Sequence, residues 1–120
     1  MRVFKNAWFS RFARKENIGD DELRDIVNQL EAGQADADLG GYVYKQRLAR
    51  PGEEKSGGYR VIVFFRSEER TFFMYGFAKS DKDNISRKEV VKLKKQAGSL
   101  LSMTNVQIES ALKEGVLKEI

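Results

Sequence analysis

Apolar and polar positions repeat with changing periods along this chain, and each change marks an element. Arg2-Val3-Phe4-Lys5 reads as a short first strand, after which Trp8, Phe9 and Phe12 fall at helical spacing and predict a first helix to about Glu16. Gly19 breaks it, and Asp20 is placed to cap a second helix whose stripe is Leu23, Ile26, Val27 and Leu30. Gly33 supplies the stop of that helix, and the polar stretch Gln34 to Gly41 is expected as a connection.

From Tyr42 the period shortens. Tyr42 to Ala49, Gly58 to Arg66 and Arg70 to Lys79 are rich in aromatic and β-branched residues and predict three antiparallel strands. Between the first two, Arg50 to Gly57 holds the only proline in a Pro51-Gly52 turn signal and is expected as a mobile hairpin loop, while Ser67-Glu68-Glu69 makes a tighter turn. Ser86 with Glu89 and Thr104 with Gln107 have capping-box spacing ahead of two helices, the first carrying Val90, Leu93, Ala97 and Leu100, the second Ile108, Ala111 and Leu112. The order β-α-α-β-β-β-α-α predicts an α+β domain with an antiparallel-dominated sheet, helices packed on one face and the other face free. The segment from Met103 to Ile120 is expected to pack in cis, a partner interface being the alternative.

Composition narrows the chemistry. A chain of 120 residues, 41% hydrophobic, suits a single domain over 1–120 with a helical segment over about 86–120. No apolar run approaches the roughly 18 to 20 residues of a membrane span, and Arg2 and Lys5 interrupt the N-terminus, so a cytoplasmic protein without a membrane partner is expected. There is no cysteine and no histidine, which removes thiolate and imidazole from catalysis and from metal ligation; no cofactor and no metal are expected. The net charge is +4, and counting along the sequence places −2 in Met1 to Gly41, +4 in Tyr42 to Lys79 and +2 in Ser80 to Ile120. The positive excess therefore sits in the strand region, where it suits an anionic partner.

Lys45 and Arg47 are two apart in a strand, so they project from one face about 6 to 7 Å apart, close to the phosphate spacing of an extended nucleic-acid strand. Alone, such a pair is more simply a solvated strand face. Its surroundings change the balance: Arg50 and Lys55 in the loop, Tyr59 and Arg60 opening the next strand, and Tyr75, Phe77 and Lys79 closing the last. Cations interleaved with aromatics suit single-stranded RNA, neutralising phosphates and stacking on splayed bases. Tyr59 and Tyr75 serve equally as core, Phe77 is better placed there, and Phe64, Phe65, Phe72 and Phe73 are assigned to packing.

Tyr44-Lys45-Gln46-Arg47-Leu48, Ser56-Gly57-Gly58-Tyr59-Arg60-Val61-Ile62 and Phe73-Met74-Tyr75-Gly76-Phe77-Ala78-Lys79, with Asn84-Ile85 beyond, resemble the RelE/ParE toxin superfamily, and within it the HigB-like RelE branch. The resemblance covers about Val3 to Ile85; the final helices match only in type. It implies a RelE-like fold and a ribosome-associated mRNA interferase that drives a 2′-hydroxyl onto the adjacent phosphate without a metal. Lys45 and Arg47 match the family's basic pair, Arg60 its phosphate-binding arginine and Lys79 the basic residue ending the last strand. The sequence departs from the pattern at Ser80 and Ser86, where the family carries an arginine and a tyrosine. Tyr75, Arg50, Lys55 and Lys82 are the candidates to compensate, Tyr75 as a general base or as a packing or stacking residue.

The same superfamily contains ParE-like proteins that poison DNA gyrase, and a nuclease-dead module binding RNA or antitoxin is a third reading. The toxin readings imply a cognate antitoxin, usually carrying its own DNA-binding domain, and the first implies ribosome and mRNA as partners.

Overall fold

A computed structural model of the chain describes residues 1–49, 58–79 and 84–120. The elements are β1 (Arg2–Asn6), α1 (Ala7–Lys15), α2 (Asp20–Glu31), β2 (Ala37–Gly40), β3 (Val43–Leu48), β4 (Tyr59–Arg66), β5 (Arg70–Ala78), α3 (Arg87–Leu101), α4 (Asn105–Lys113) and β6 (Leu117–Glu119). The strands form one sheet ordered β2-β3-β4-β5-β1-β6, in which β1 runs parallel to β5 and the other described pairings are antiparallel. The fold is α+β with an antiparallel-dominated sheet, as the pattern predicts. Among the described residues no helix is long and apolar enough to cross a membrane.

The helices occupy both faces of the sheet, which corrects the expectation of one covered and one free face. Val61, Val63 and Phe65 of β4 join Phe9, Leu23 and Ile26 from α1 and α2 in one core. Their neighbours Ile62 and Phe64 join Ala97 of α3 and Ile108 of α4 in a second core on the opposite side. The sequence reason is the unbroken run Val61-Ile62-Val63-Phe64-Phe65, which lacks the alternation of a half-exposed strand and marks one buried on both faces. Phe64, Phe65, Phe72 and Phe73 are all buried, as assigned.

Two short edge strands were not expected. β2 forms within the polar stretch read as a connection, pairing Ala37 with Lys45, and Gly40 and Gly41 turn the chain into β3 with φ of 85° and 59°. β6 follows α4 through Gly115, at φ 77°, and lays Leu117 into the second core while pairing with β1. The C-terminal segment thus packs in cis. Helix ends follow the capping chemistry, with both capping boxes formed, at Ser86/Glu89 and at Thr104/Gln107. The start of α2 differs: Gly19 is the N-cap, and Asp20, Asp21 and Glu22 fill the first turn, where carboxylates favour the helix dipole.

Candidate nucleic-acid interface

Register decides which side chains share the candidate face. Across β3, β4 and β5, Lys45 lies opposite Ile62 and Ile62 opposite Tyr75; one step on, Arg47 lies opposite Arg60 and Arg60 opposite Phe77. Cross-strand partners point the same way, so Lys45, Arg47, Arg60, Tyr75 and Phe77 project from the face that carries Val43, Ile62 and Phe64. Beyond Ile62 the apolar floor gives way to these cations. Arg60 is half-buried and Arg47 exposed.

A β-bulge in β5 makes this alignment possible. Phe73 pairs with Val63 but Tyr75 pairs with Ile62, which leaves Met74 as the extra residue. Without it, strict alternation from Phe72 would send Tyr75 and Phe77 toward α1 and α2. With it, Gly76 and Ala78 turn to that side, and Phe12 of α1 packs so closely on Gly76 that a Cβ there would lie 2.5 Å from the ring.

Each cation of the pair on β3 has a defined support. Lys45 Nζ donates to Asn84 Oδ1 at 2.9 Å, which ties the chain entering α3 to the middle of the sheet. Arg47 donates to Asp36 twice, from its backbone N–H at 2.7 Å and from Nη2 at 3.1 Å. Asp36 is itself placed by the fully buried Gln46, whose Oε1 accepts the Asp36 N–H at 2.6 Å and whose Nε2 donates to Gln29 at 3.2 Å. The Arg47–Asp36 ion pair stays at the surface, with 47% of the arginine side chain exposed. Arg60 turns Nη1 toward the Tyr59 carbonyl at 3.3 Å. Lys79 follows the strand end, its N–H held by the Gly58 carbonyl at 3.1 Å and its side chain exposed.

Tyr59 does not belong to this face, contrary to its assignment as an RNA contact. Strand alternation turns it away from Arg60 into the core against α1 and α2, where it is 3% exposed, packs edge-on to Phe12 and donates its hydroxyl to Glu16 at 2.7 Å. Tyr75 is half-buried, with ring centroids 4.6 Å from Trp8 and 5.9 Å from Phe77. Phe77 is buried. Arg50, Lys55, Ser80 and Lys82, and the hairpin loop as a whole, lie outside the described residues. Ser86 is the N-cap of α3, its hydroxyl accepting from the Glu89 N–H at 3.2 Å, so this departure from the family pattern serves the helix end.

A protein-family model described as the RelE toxin of the RelE/RelB toxin–antitoxin system matches residues 1–120. The chain belongs to the RelE toxin family. No curated protein matches it. Family membership makes this RelE-family protein the toxin of a toxin–antitoxin pair and implies an antitoxin partner. Among its described residues, no group of three or more Asp or Glu stands together as a set of metal ligands.

Sequence reasoning missed three residues of the toxin's candidate face. Asp36 sits in a polar connection where nothing in the pattern signals a role, and Asn84 enters the sequence reading only within the family resemblance, with no role of its own. Trp8 entered the sequence reading only as a mark of the first helix, yet it is 38% exposed and closes the edge of the face against Tyr75.

Proposed function

We propose that this RelE-family toxin is an mRNA endonuclease acting in the cytoplasm on messages held by the ribosome, and that its antitoxin carries a DNA-binding domain. One observation carries the reading: Lys45, Arg47 and Arg60 are neighbours on one face of the sheet, with Tyr75 beside them. Three cations within two strand spacings, about 10 Å, match a ribose–phosphate backbone in size and charge. The sequence likeness to the HigB-like branch agrees with an RNA target.

In the proposed reaction the ribose 2′-hydroxyl gives up its proton to water as its oxygen attacks the adjacent phosphorus, the P–O5′ bond breaks, and the departing 5′-oxygen takes up a proton from water. The products are a 2′,3′-cyclic phosphate and a 5′-hydroxyl. Arg60 supplies N–H donors to the non-bridging oxygens, where charge grows in the transition state. Lys45, steadied by Asn84, or Arg47, steadied by Asp36, neutralises the nucleophile or the leaving oxygen. Tyr75, held by ring contacts with Trp8 and Phe77, is a stacking platform for a nucleobase rather than the proton acceptor. Lys79 extends the cationic track along the backbone, and Lys82, Arg50 and Lys55 belong to the same proposal by sequence position.

Primer extension on mRNA after expression tests the reading. New 5′ ends are expected with the wild-type toxin, and Arg60→Ala should lower their yield about 100- to 1,000-fold, the effect of removing a donor aimed at transition-state charge. Growth arrest without new ends, combined with inhibited DNA supercoiling by gyrase, would assign the ParE-like activity instead.

A further inference from the structure

Past Phe73, β5 outruns its neighbour β1, whose described pairing covers Arg70 to Phe73. The start of α1 fills the gap, and between it, the bulged part of β5 and α3 lies a cleft of about 370 Å³. Trp8 and Tyr75 form one wall, Met74 and Leu93 the apolar interior, and Lys92 and Gln96 of α3, with the capping carboxylate Glu89, the polar rim. Resting on the RNA-cleaving reading, we propose that this cleft takes one unstacked nucleobase of the RNA, next to the phosphate gripped by Arg60.

Three observations favour a base. The volume is near the lower end for small-ligand pockets, enough for a planar ring system and too small for a helix or strand of a partner. The wall is aromatic and already rigid: Trp8 stacks on Phe12 at 5.3 Å, and Phe12 is seated on Gly76, so the Trp8 face is fixed before any ligand arrives. The location is continuous with the cations, because Tyr75 is the diagonal neighbour of Arg60 across β4 and β5, about 7 to 8 Å away. That is about one nucleotide step. Gln96 offers both a donor and an acceptor and Lys92 a donor, so the edge of the base meets groups that can discriminate. Stacking would set affinity, and this rim would set preference.

Trp8 is the only tryptophan, so its emission reports the cleft directly. The full-length toxin is titrated with a fluorescein-labelled RNA hexamer carrying 2′-O-methyl groups throughout, which blocks cleavage, while binding is read separately by anisotropy. Trp8 emission should fall at least twofold at saturation, and one abasic position in the hexamer should restore it. Trp8→Leu should weaken binding about tenfold and change the bases at which ribosome-bound mRNA is cut. Binding with unchanged Trp8 emission, or quenching by the purified antitoxin and not by RNA, would overturn the cleft assignment and leave the endonuclease reading intact. Absence of binding would also overturn it, and cleavage of ribosome-bound mRNA measured in parallel shows whether the wider reading falls too. Quenching in the wild-type protein keeps the test valid should the variant fold poorly.

Discussion

Arg47 and Arg60 face each other directly across the β3–β4 ladder, two like charges on one side of the sheet. Like charges in directly opposed positions cost stability, on the order of 0.2–1 kcal/mol. The Asp36 carboxylate lies against Arg47 and offsets part of that repulsion.

Asp36→Ala should therefore destabilise the toxin by about 1–3 kcal/mol, because it removes the offset and leaves the Arg47 N–H without its acceptor. Arg47→Thr in that background should recover part of the loss. Urea unfolding of the two single variants and the double variant checks this. Strictly additive effects would mean that the charges do not interact.

Gly76→Ala should destabilise by about 1–3 kcal/mol, since the new Cβ would lie 2.5 Å from the Phe12 ring and has nowhere else to go. Displacing Phe12 also shifts the Trp8 wall. A red-shifted Trp8 emission together with a lower Tm is the expected result, and an unchanged melting curve would show that Phe12 does not press on Gly76.

Tyr75→Phe keeps the ring between Trp8 and Phe77 and removes only the hydroxyl. Cleavage by this variant should stay within about threefold of wild type, while Tyr75→Ala should lose about tenfold through lost stacking. Loss of activity in Tyr75→Phe as deep as in Arg60→Ala would instead make the hydroxyl part of the chemistry.

The strands of the site and both capping boxes were legible because their signals are local: β-branched runs and Ser-x-x-Glu or Thr-x-x-Gln spacing. The bulge at Met74 was not, since one extra residue in a strand leaves no mark on composition and shows only against the register of β4. β2 and β6 were hidden for a related reason, being short edge strands recruited by neighbours rather than by their own pattern. The unbroken apolar run from Val61 to Phe65 carries the mark of burial on two faces, which the expectation of one free face passed over. Trp8 gave no sign of a place on the face because helical spacing marks a helix but not that β5 extends past β1 there.

Acid should weaken the closure of the sheet at its C-terminal edge. Arg2 donates to Glu119 from Nε and Nη2, each at 2.9 Å, and also to Glu109, joining β1 to β6 and α4. Its hydrogen bonds hold the Glu119 carboxyl below the usual glutamate value of 4.5, so the folded state prefers the ionised form. The stabilisation is complete above that value and is lost as pH falls through the lower folded value. With both side chains over a third exposed the effect should stay below about 1 kcal/mol, and Glu119→Gln should flatten that part of the curve. Unfolding free energy followed from about pH 6 to about pH 3 tests this; identical slopes in variant and wild type would contradict it.

The most direct measurement uses ribosome-bound mRNA with a single 2′-deoxynucleotide on the 5′ side of the cut phosphate. Intact message should yield a 2′,3′-cyclic phosphate and a 5′-hydroxyl, and the deoxy message should remain uncut at that position. Cleavage of the deoxy message there, or 5′-phosphate ends from the intact one, would contradict attack by the neighbouring hydroxyl on a phosphate held by Arg60.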